Sequence, residues 1–470
     1  MNIKTKTNIT FVRCKQLLLA LILLPIFCIA AKQPSFVSDV IGVKETMLTP
    51  DYWQSKIPNE NKLLLSETQI NKQQNRLFDN SPHLTILHQM PNQMKGEDIK
   101  RKIFSISQIP SAKRYDSSGK QVSDKQFQQY IKSLNIQQLS GKRTIEFGMV
   151  VNRTDMRTFP TEDKVFKSPQ DFLFDRFQET ALFPTEVVAI LHESLDKKWW
   201  FATAYHYSAW IKKEDIALGD KTEIFNYKNT TDFLMITGNK VFTNHNPVRN
   251  EVSQVQLEMG TKLALVAPEK IPALLDEQNT YASHVVYLPT RKSNGDLEFS
   301  MALIARNQDV HKGYLPYTEK NILSQSFKFL GERYGWGHSF NARDCTGFVG
   351  EIYKSFGILM PRNSGQQGNS DQGTNFRFND ETSREDKLKI INQLQIGDLI
   401  YLPGHVAMYI GKVDNEPYII HDVAGLSYYT EDKQFYQSKL NGVSVTPLLP
   451  LHLNASTSYL DKIYAIKKIR

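Results

Sequence analysis

Asp344-Cys345-Thr346-Gly347-Phe348-Val349-Gly350-Glu351-Ile352-Tyr353-Lys354-Ser355-Phe356-Gly357 is the stretch on which the reading of this chain turns. Phe348, Ile352 and Phe356 recur at four-residue steps, on one face of a helix. Asp344 is a good N-cap and Gly357 suits the residue just past the C-cap, so the spacing predicts a buried helix with Cys345 in its first turn. A thiol there lies near unpaired backbone N–H groups and the positive end of the helix dipole, which favour thiolate over thiol. Position thus makes Cys345 a candidate nucleophile.

The cysteine count strengthens that reading. The first 31 residues have a basic start (Lys4, Lys6, Arg13, Lys15), an apolar run Leu17 to Leu24 and small residues at Ala30 and Ala31, the pattern of a secretory signal peptide too short to span a bilayer comfortably. No later segment is apolar enough for a second anchor, so the mature protein is expected to be exported, periplasmic or cell-envelope associated, without a stable membrane anchor. Of the three cysteines, Cys14 and Cys28 leave with the signal, and Cys345 then has no internal disulfide partner. A lone thiol in an oxidising compartment is either a buried small hydrophobe or a reactive group.

A nucleophilic cysteine needs a base. His405 opens the apolar run Val406-Ala407-Met408-Tyr409-Ile410-Gly411 and His421 closes Tyr418-Ile419-Ile420, with turn-forming residues 412–417 between them. In a hairpin the numbers of paired residues have a constant sum. Any even sum puts both histidines on one sheet face, directly opposite at 826 and diagonal at two more or less. His338, seven residues before Cys345, competes for the role of base from a loop. One Cys without a close His pair fails the spacing of a zinc site, phosphate-loop and dinucleotide glycine patterns are absent, and no serine lies in a nucleophile elbow. No cofactor and no metal are expected.

With 470 residues, 40% of them hydrophobic, the chain holds several domains with packed cores. The net charge is +8, and the four bases of the signal leave the rest at +4, too little to indicate nucleic acid but compatible with an acidic polymer such as a cell wall. Residues 32–142 are polar and Gln/Asn-rich, with amphipathic stretches such as Asp51 to Phe78, and read as helices and loops wrapped on something else. Short strand-like runs follow, among them Ile145 to Val151, Val187 to Leu191 and Trp199 to Thr203, then Leu263 to Val266, Val285 to Leu288 and Leu297 to Met301. They predict two small SH3-like barrels, at 143–245 and 246–312. Helical periodicity from Asn321 to Tyr334 opens the last domain, 313–470, so the fold class is α+β multidomain.

In order, Tyr334-x-Trp336-Gly337, Asp344-Cys345-Thr346-Gly347-Phe348-Val349, Leu359-Met360-Pro361-Arg362-Asn363-Ser364-Gly365-Gln366-Gln367, Ile396-Gly397-Asp398-Leu399-Ile400, His405 to Gly411 and His421 resemble the NlpC/P60 cysteine peptidases of bacterial cell walls. Residues Asn152 to Thr161 and His192 to Trp200 resemble the bacterial SH3 domains that precede this domain in one subgroup, and Asp51 to Phe78 resembles its N-terminal clip. The resemblance implies a papain-like catalytic domain with Cys345 as nucleophile, His405 as base and acid, and His421 as orienting third member. It implies Tyr334, Trp336, Thr346, Asn363 and Ser364 as substrate-binding residues. The implied substrate is peptidoglycan or its stem peptides, cut between γ-D-glutamate and a diamino acid. Thr346 replaces the commoner Ser. Asn363 replaces an Asp that pairs with the substrate ammonium where a free stem-peptide N-terminus is required, so intact wall becomes an alternative substrate and Asp155 or Glu351 the next acids to consider. A wall-binding protein with a degenerate peptidase domain is the rival reading. The intact Cys345, His405 and His421 favour catalysis, although a triad specifies reaction type and not substrate, so acyl transfer or another wall amide stays open.

Overall fold

The helix forms where its spacing places it, over Cys345–Lys354, with the Asp344 side chain accepting from the Gly347 N–H at 2.9 Å. Past its end Gly357 takes φ +78°, and the N–H groups of Gly357 and Ile358 close on the carbonyls of Lys354 and Tyr353. Phe348, Ile352 and Phe356 are at most 1% exposed and share one core with Val406, Met408, Ile420 and Val445. These last residues belong to a six-stranded antiparallel sheet, in the order Thr374–Arg377, Ala465–Lys468, Leu399–Leu402, His405–Val413, Glu416–Tyr429 and Phe435–Pro447. This is a computed structural model and it describes residues 36–470, so the expected signal at 1–31 lies outside the described residues. The preceding helix is shorter than its periodicity predicts. It spans Glu319–Phe327, because residues 331–334 hydrogen-bond to the sheet instead: Gly331 at φ +80° donates to the Val443 carbonyl and the Val443 N–H returns to Glu332.

The hairpin carrying the two histidines turns through Asp414-Asn415, both at positive φ (51° and 67°), as a two-residue loop requires. That tight turn sets an odd sum, 829 at Val413↔Glu416, which by itself would send His405 and His421 to opposite faces. A bulge at Ile410-Gly411 changes the sum to 828 at Tyr409↔Ile419 and Met408↔Ile420, so the histidines become diagonal neighbours on one face. Gly411 sits at φ +144°, and an added Cβ would lie 2.9 Å from the Trp53 indole packed over it. Gly411→Ala is therefore expected to lower stability by about 1–3 kcal/mol, read as a drop in the urea midpoint. An unchanged midpoint would show that the bulge tolerates an L side chain.

Upstream, one seven-stranded antiparallel sheet runs from Glu146–Val150 to Ile216–Gly219. A second, five-stranded sheet contains Phe233–Ile236, Lys262–Leu265, Ser283–Arg291, Leu297–Ala305 and Val310–Lys312. The expected boundary at 245/246 is corrected. Phe233–Ile236 pairs with Lys262–Leu265 and Val310–Lys312, so the break between the two β units falls at the Lys221–Lys228 helix. The four residues of Phe233–Ile236 are all buried, and the ladder that buries them lies later in the chain. The N-terminal segment has helices Pro50–Gln54, Glu67–Asn80, Gly96–Phe104 and Asp124–Ser133. Its apolar side chains divide between two cores. Met47, Trp53, Leu65 and Ile70 join that of the Cys345 helix, while Ile99, Ile103, Phe127 and Leu134 join the first β unit.

Candidate active site

Cys345 is the first residue of its helix and shares a core with Val406, the neighbour of His405. His405 Nε2 is 2.9 Å from His421 Nδ1, and His421 Nε2 is 3.1 Å from Thr446 Oγ1. With Nε2 occupied, Nδ1 is the His405 nitrogen left for the thiol. Tyr459 sets its ring edgewise to both imidazoles, at 6.3 and 6.4 Å between centroids. The helix that begins with Cys345 thus packs on the strand that carries His405, and His405 bonds to His421 on the next strand.

Electrostatics differ from the expectation. Burial, reinforced by the Asp344 charge, pushes the Cys345 thiol up to about 12, against the pull of the helix N-terminus. Burial pushes the His405 imidazole down to about 4, and His421 lies well below its usual value for the same reason, with His405 adding to it. The proton accordingly rests on sulfur, and both rings are neutral at pH 7. Alkylation of Cys345 by iodoacetamide is expected to keep rising with pH beyond about 10, where an ordinary thiol levels off above about 8.5. A plateau below about pH 8 would show a preformed thiolate.

Asp344 is held chiefly by Arg362, to which the sequence reading gave no role. The buried Arg362 donates to Asp344 Oδ2 at 2.7 Å and Oδ1 at 3.2 Å, to Thr346 Oγ1 at 2.6 Å and to Thr180 Oγ1 at 2.6 Å. The Thr346 hydroxyl donates in turn to Asp344 at 2.9 Å, so its contacts lie inside this network and not on the substrate side expected of it. His338 does not compete for the role of base. Its Nδ1 meets Arg362 at 3.1 Å and its Nε2 meets Glu351 at 3.3 Å, with the ring 3% exposed. Glu351 is itself taken up by Arg343 at 2.7 Å.

Of the expected substrate residues, Tyr334 and Trp336 are half-buried, Trp336 donating its Nε1–H to the Gln178 carbonyl at 3.1 Å. Asn363 is exposed and caps the Ser364–Asn369 helix, and half-buried Ser364 gives its carbonyl to Tyr464. The Asn363 side chain meets the Tyr207 hydroxyl, which donates to Glu179 at 2.5 Å. Thr158 donates to the other Glu179 oxygen at 2.6 Å. Glu179 and Tyr207 are therefore the acid and hydroxyl beside Asn363. Of the two acids expected there, Glu351 is neutralised elsewhere, and Asp155 is exposed and accepts from Gln178. Glu179, Tyr207 and Thr446 carry no local sequence signal; for Arg362 the available signal is Asp344 itself, since a carboxylate capping a buried helix requires a cation.

Residues 331–445 match the sequence profile of the NlpC/P60 family, and residues 164–212 that of an SH3 domain of the SH3b1 type. The chain therefore contains an NlpC/P60 family domain preceded by a bacterial SH3 domain, which falls in the first β unit. It is 27% identical over 220 residues to a gamma-D-glutamyl-L-lysine dipeptidyl-peptidase of Bacillus cereus, covering 44% of this chain and 54% of that protein. It is 22% identical over 231 residues to dipeptidyl-peptidase 6 of Lysinibacillus sphaericus, covering 47% and 72%. The chain thus spans about half the length of the first of these relatives. In fold it resembles an NlpC/P60 endopeptidase from Photobacterium damselae subsp. piscicida, with a TM-score of 0.70 at 16% identity over 93% of this chain and 98% of that one.

Proposed function

We propose that the protein is an exported cysteine endopeptidase of the bacterial cell envelope that hydrolyses peptidoglycan stem peptides between γ-D-glutamate and the diamino acid. The observation that carries this reading is Cys345 at the start of a helix packed on the strand of His405, together with the 2.9 Å His405–His421 bond and its continuation to Thr446. In this mechanism the thiol proton passes to His405 Nδ1 as sulfur bonds to the γ-glutamyl carbonyl carbon. His405 then protonates the departing amine as the C–N bond breaks. Water, deprotonated by the same ring, displaces sulfur and restores the thiol. His421 holds the ring, and Thr446 holds His421. The name of the Bacillus cereus relative supports the bond assignment, and the basic, apolar start of the chain supports export. Mass analysis of the soluble products of purified wall tests it. New γ-D-glutamyl carboxyl ends are expected, and products cut solely at other amides would overturn the assignment.

The substrate amine has its acceptors in the same reading. The bonded pair of Tyr207 and Glu179 beside Asn363 brings one negative charge, where a carboxylate at 363 would make two. Replacing an amide by a carboxylate at such a contact gains about 1–2 kcal/mol, roughly five- to thirtyfold. Asn363→Asp is expected to raise the ratio of kcat/KM for free-amine over wall-attached peptides by that factor, and Glu179→Gln to lower it. Two unchanged ratios would place amine recognition elsewhere.

A further inference from the structure

Among the described residues, each deeply buried arginine has its carboxylate: Arg157 pairs with Asp175 at 3.0 Å, Arg343 with Glu332 and Glu351 at 2.7 Å, and Arg362 with Asp344 at 2.7 Å. Arg176 does not. It is half-buried, forms no ion pair and makes no side-chain hydrogen bond among the described residues, and its Nε is shut off from solvent without a partner. The nearby acids are occupied. Asp175 holds Arg157 and the N–H groups of Val165 and Phe177, and Asp171 accepts from the N–H groups of Leu173 and Phe174. What surrounds the guanidinium is aromatic, with the Trp336 ring 4.7 Å and the Phe174 ring 5.4 Å from its central carbon. These rings adjoin the active site: Phe174 packs against Tyr334, 5.9 Å between ring centroids, the Tyr334 backbone bridges that of Arg343, and the Gly337 N–H next to Trp336 donates to Asp344 at 3.1 Å, one residue before Cys345.

An unpaired, partly desolvated cation is costly, and stacking on two rings offsets only part of that cost. The fork of N–H donors that stays open is the shape that takes a carboxylate in two parallel hydrogen bonds. A stem peptide offers such a group beside the scissile bond from one of two sources. One is the α-carboxylate of the γ-linked D-glutamate, and the other is the distal carboxylate of diaminopimelate, which lysine lacks. We propose that Arg176, carried by the first β unit, is a specificity-determining residue that binds a free stem-peptide carboxylate next to the bond to be cut. This rests on the stem-peptide reading above.

The test uses the full chain and four synthetic stem peptides, combining D-isoglutamate or D-isoglutamine with diaminopimelate or lysine. Wild type is expected to lose about 10- to 100-fold in kcat/KM when the recognised carboxylate is amidated or absent, mainly through KM. Loss on D-isoglutamine identifies the first source, and loss on lysine the second. Arg176→Gln should show the same loss on the carboxylate substrate and no further loss on its neutral counterpart, and Arg176→Lys should recover part of it. If Arg176→Gln slows all four peptides by one common factor, the residue merely supports Trp336 and the proposal falls. If it changes none, the proposal falls as well. Hydrolysis of none of the four by wild type would overturn the stem-peptide reading itself, and this inference with it.

Discussion

Cys345→Ala is expected to release no stem-peptide fragments from purified wall while folding and binding wall as the wild type does. In the proposed mechanism sulfur is the atom that bonds to the γ-glutamyl carbon, and a methyl group has no electron pair to offer. Removing such a nucleophile costs on the order of 10³-fold or more in rate. The structural cost is small by comparison, since one sulfur leaves a site at the edge of a core otherwise filled by Phe348, Val349 and Val406. His405→Ala should match it, because without the ring neither the thiol proton nor the leaving amine has a carrier. His421→Asn or Gln should keep part of the activity, an amide being able to hold the His405 Nε2 bond. Thermal unfolding and wall pull-down separate these outcomes from misfolding. Fragments still released by Cys345→Ala would require another nucleophile, and wild-type activity in His405→Ala would refute its assignment as base.

Arg362→Met is expected to be the most damaging substitution for stability, lowering it by about 3–5 kcal/mol at neutral pH, because it leaves the buried Asp344 carboxylate without its cation. Burial by itself raises the pKa of Asp344; the Arg362 charge opposes that rise and, together with His338 and the hydrogen bonds from Arg362 and the Gly347 N–H, outweighs it, so the carboxyl stays well below the usual range. A carboxylate depressed in the folded state contributes stability above its unfolded pKa, near 3.9, that is lost as pH falls through the lower folded value. Without Arg362 the balance reverses. Burial then raises the carboxyl above its unfolded value, and the variant loses stability as pH climbs through and beyond the ordinary carboxylate range. The gap between variant and wild type should therefore be wider at pH 7.5 than at pH 4.5, measured by urea denaturation at both. An equal gap at the two values would mean that the lost packing of the Arg362 stem, and not the orphaned charge, dominates. Activity should fall as well, since the Asp344 cap orients the helix that begins with Cys345.

What the chain determined by itself is local. The Cys345–Lys354 helix, its Asp344 cap and its glycine stop follow from contacts spanning a few residues, and so does the two-residue turn through Asp414-Asn415. The order of blocks from Tyr334 to His421 needed no folding to be read as NlpC/P60-like, and the family profile matches the same region, 331–445. The tertiary structure decided whatever depends on partners distant in sequence. The histidine pair shares a face only through a bulge at Gly411, and Trp53, more than three hundred residues upstream, is packed over that glycine. The Phe233–Ile236 strand crosses the expected domain boundary because its ladder partners lie further along the chain. Tyr207, bonded to Glu179, comes to Asn363 from the first β unit. The protonation of the pair is decided the same way: position on the helix favours thiolate, but desolvation by burial outweighs the first-turn dipole, and a charge's cost in a closed site is a property of the surroundings that no single stretch of sequence contains.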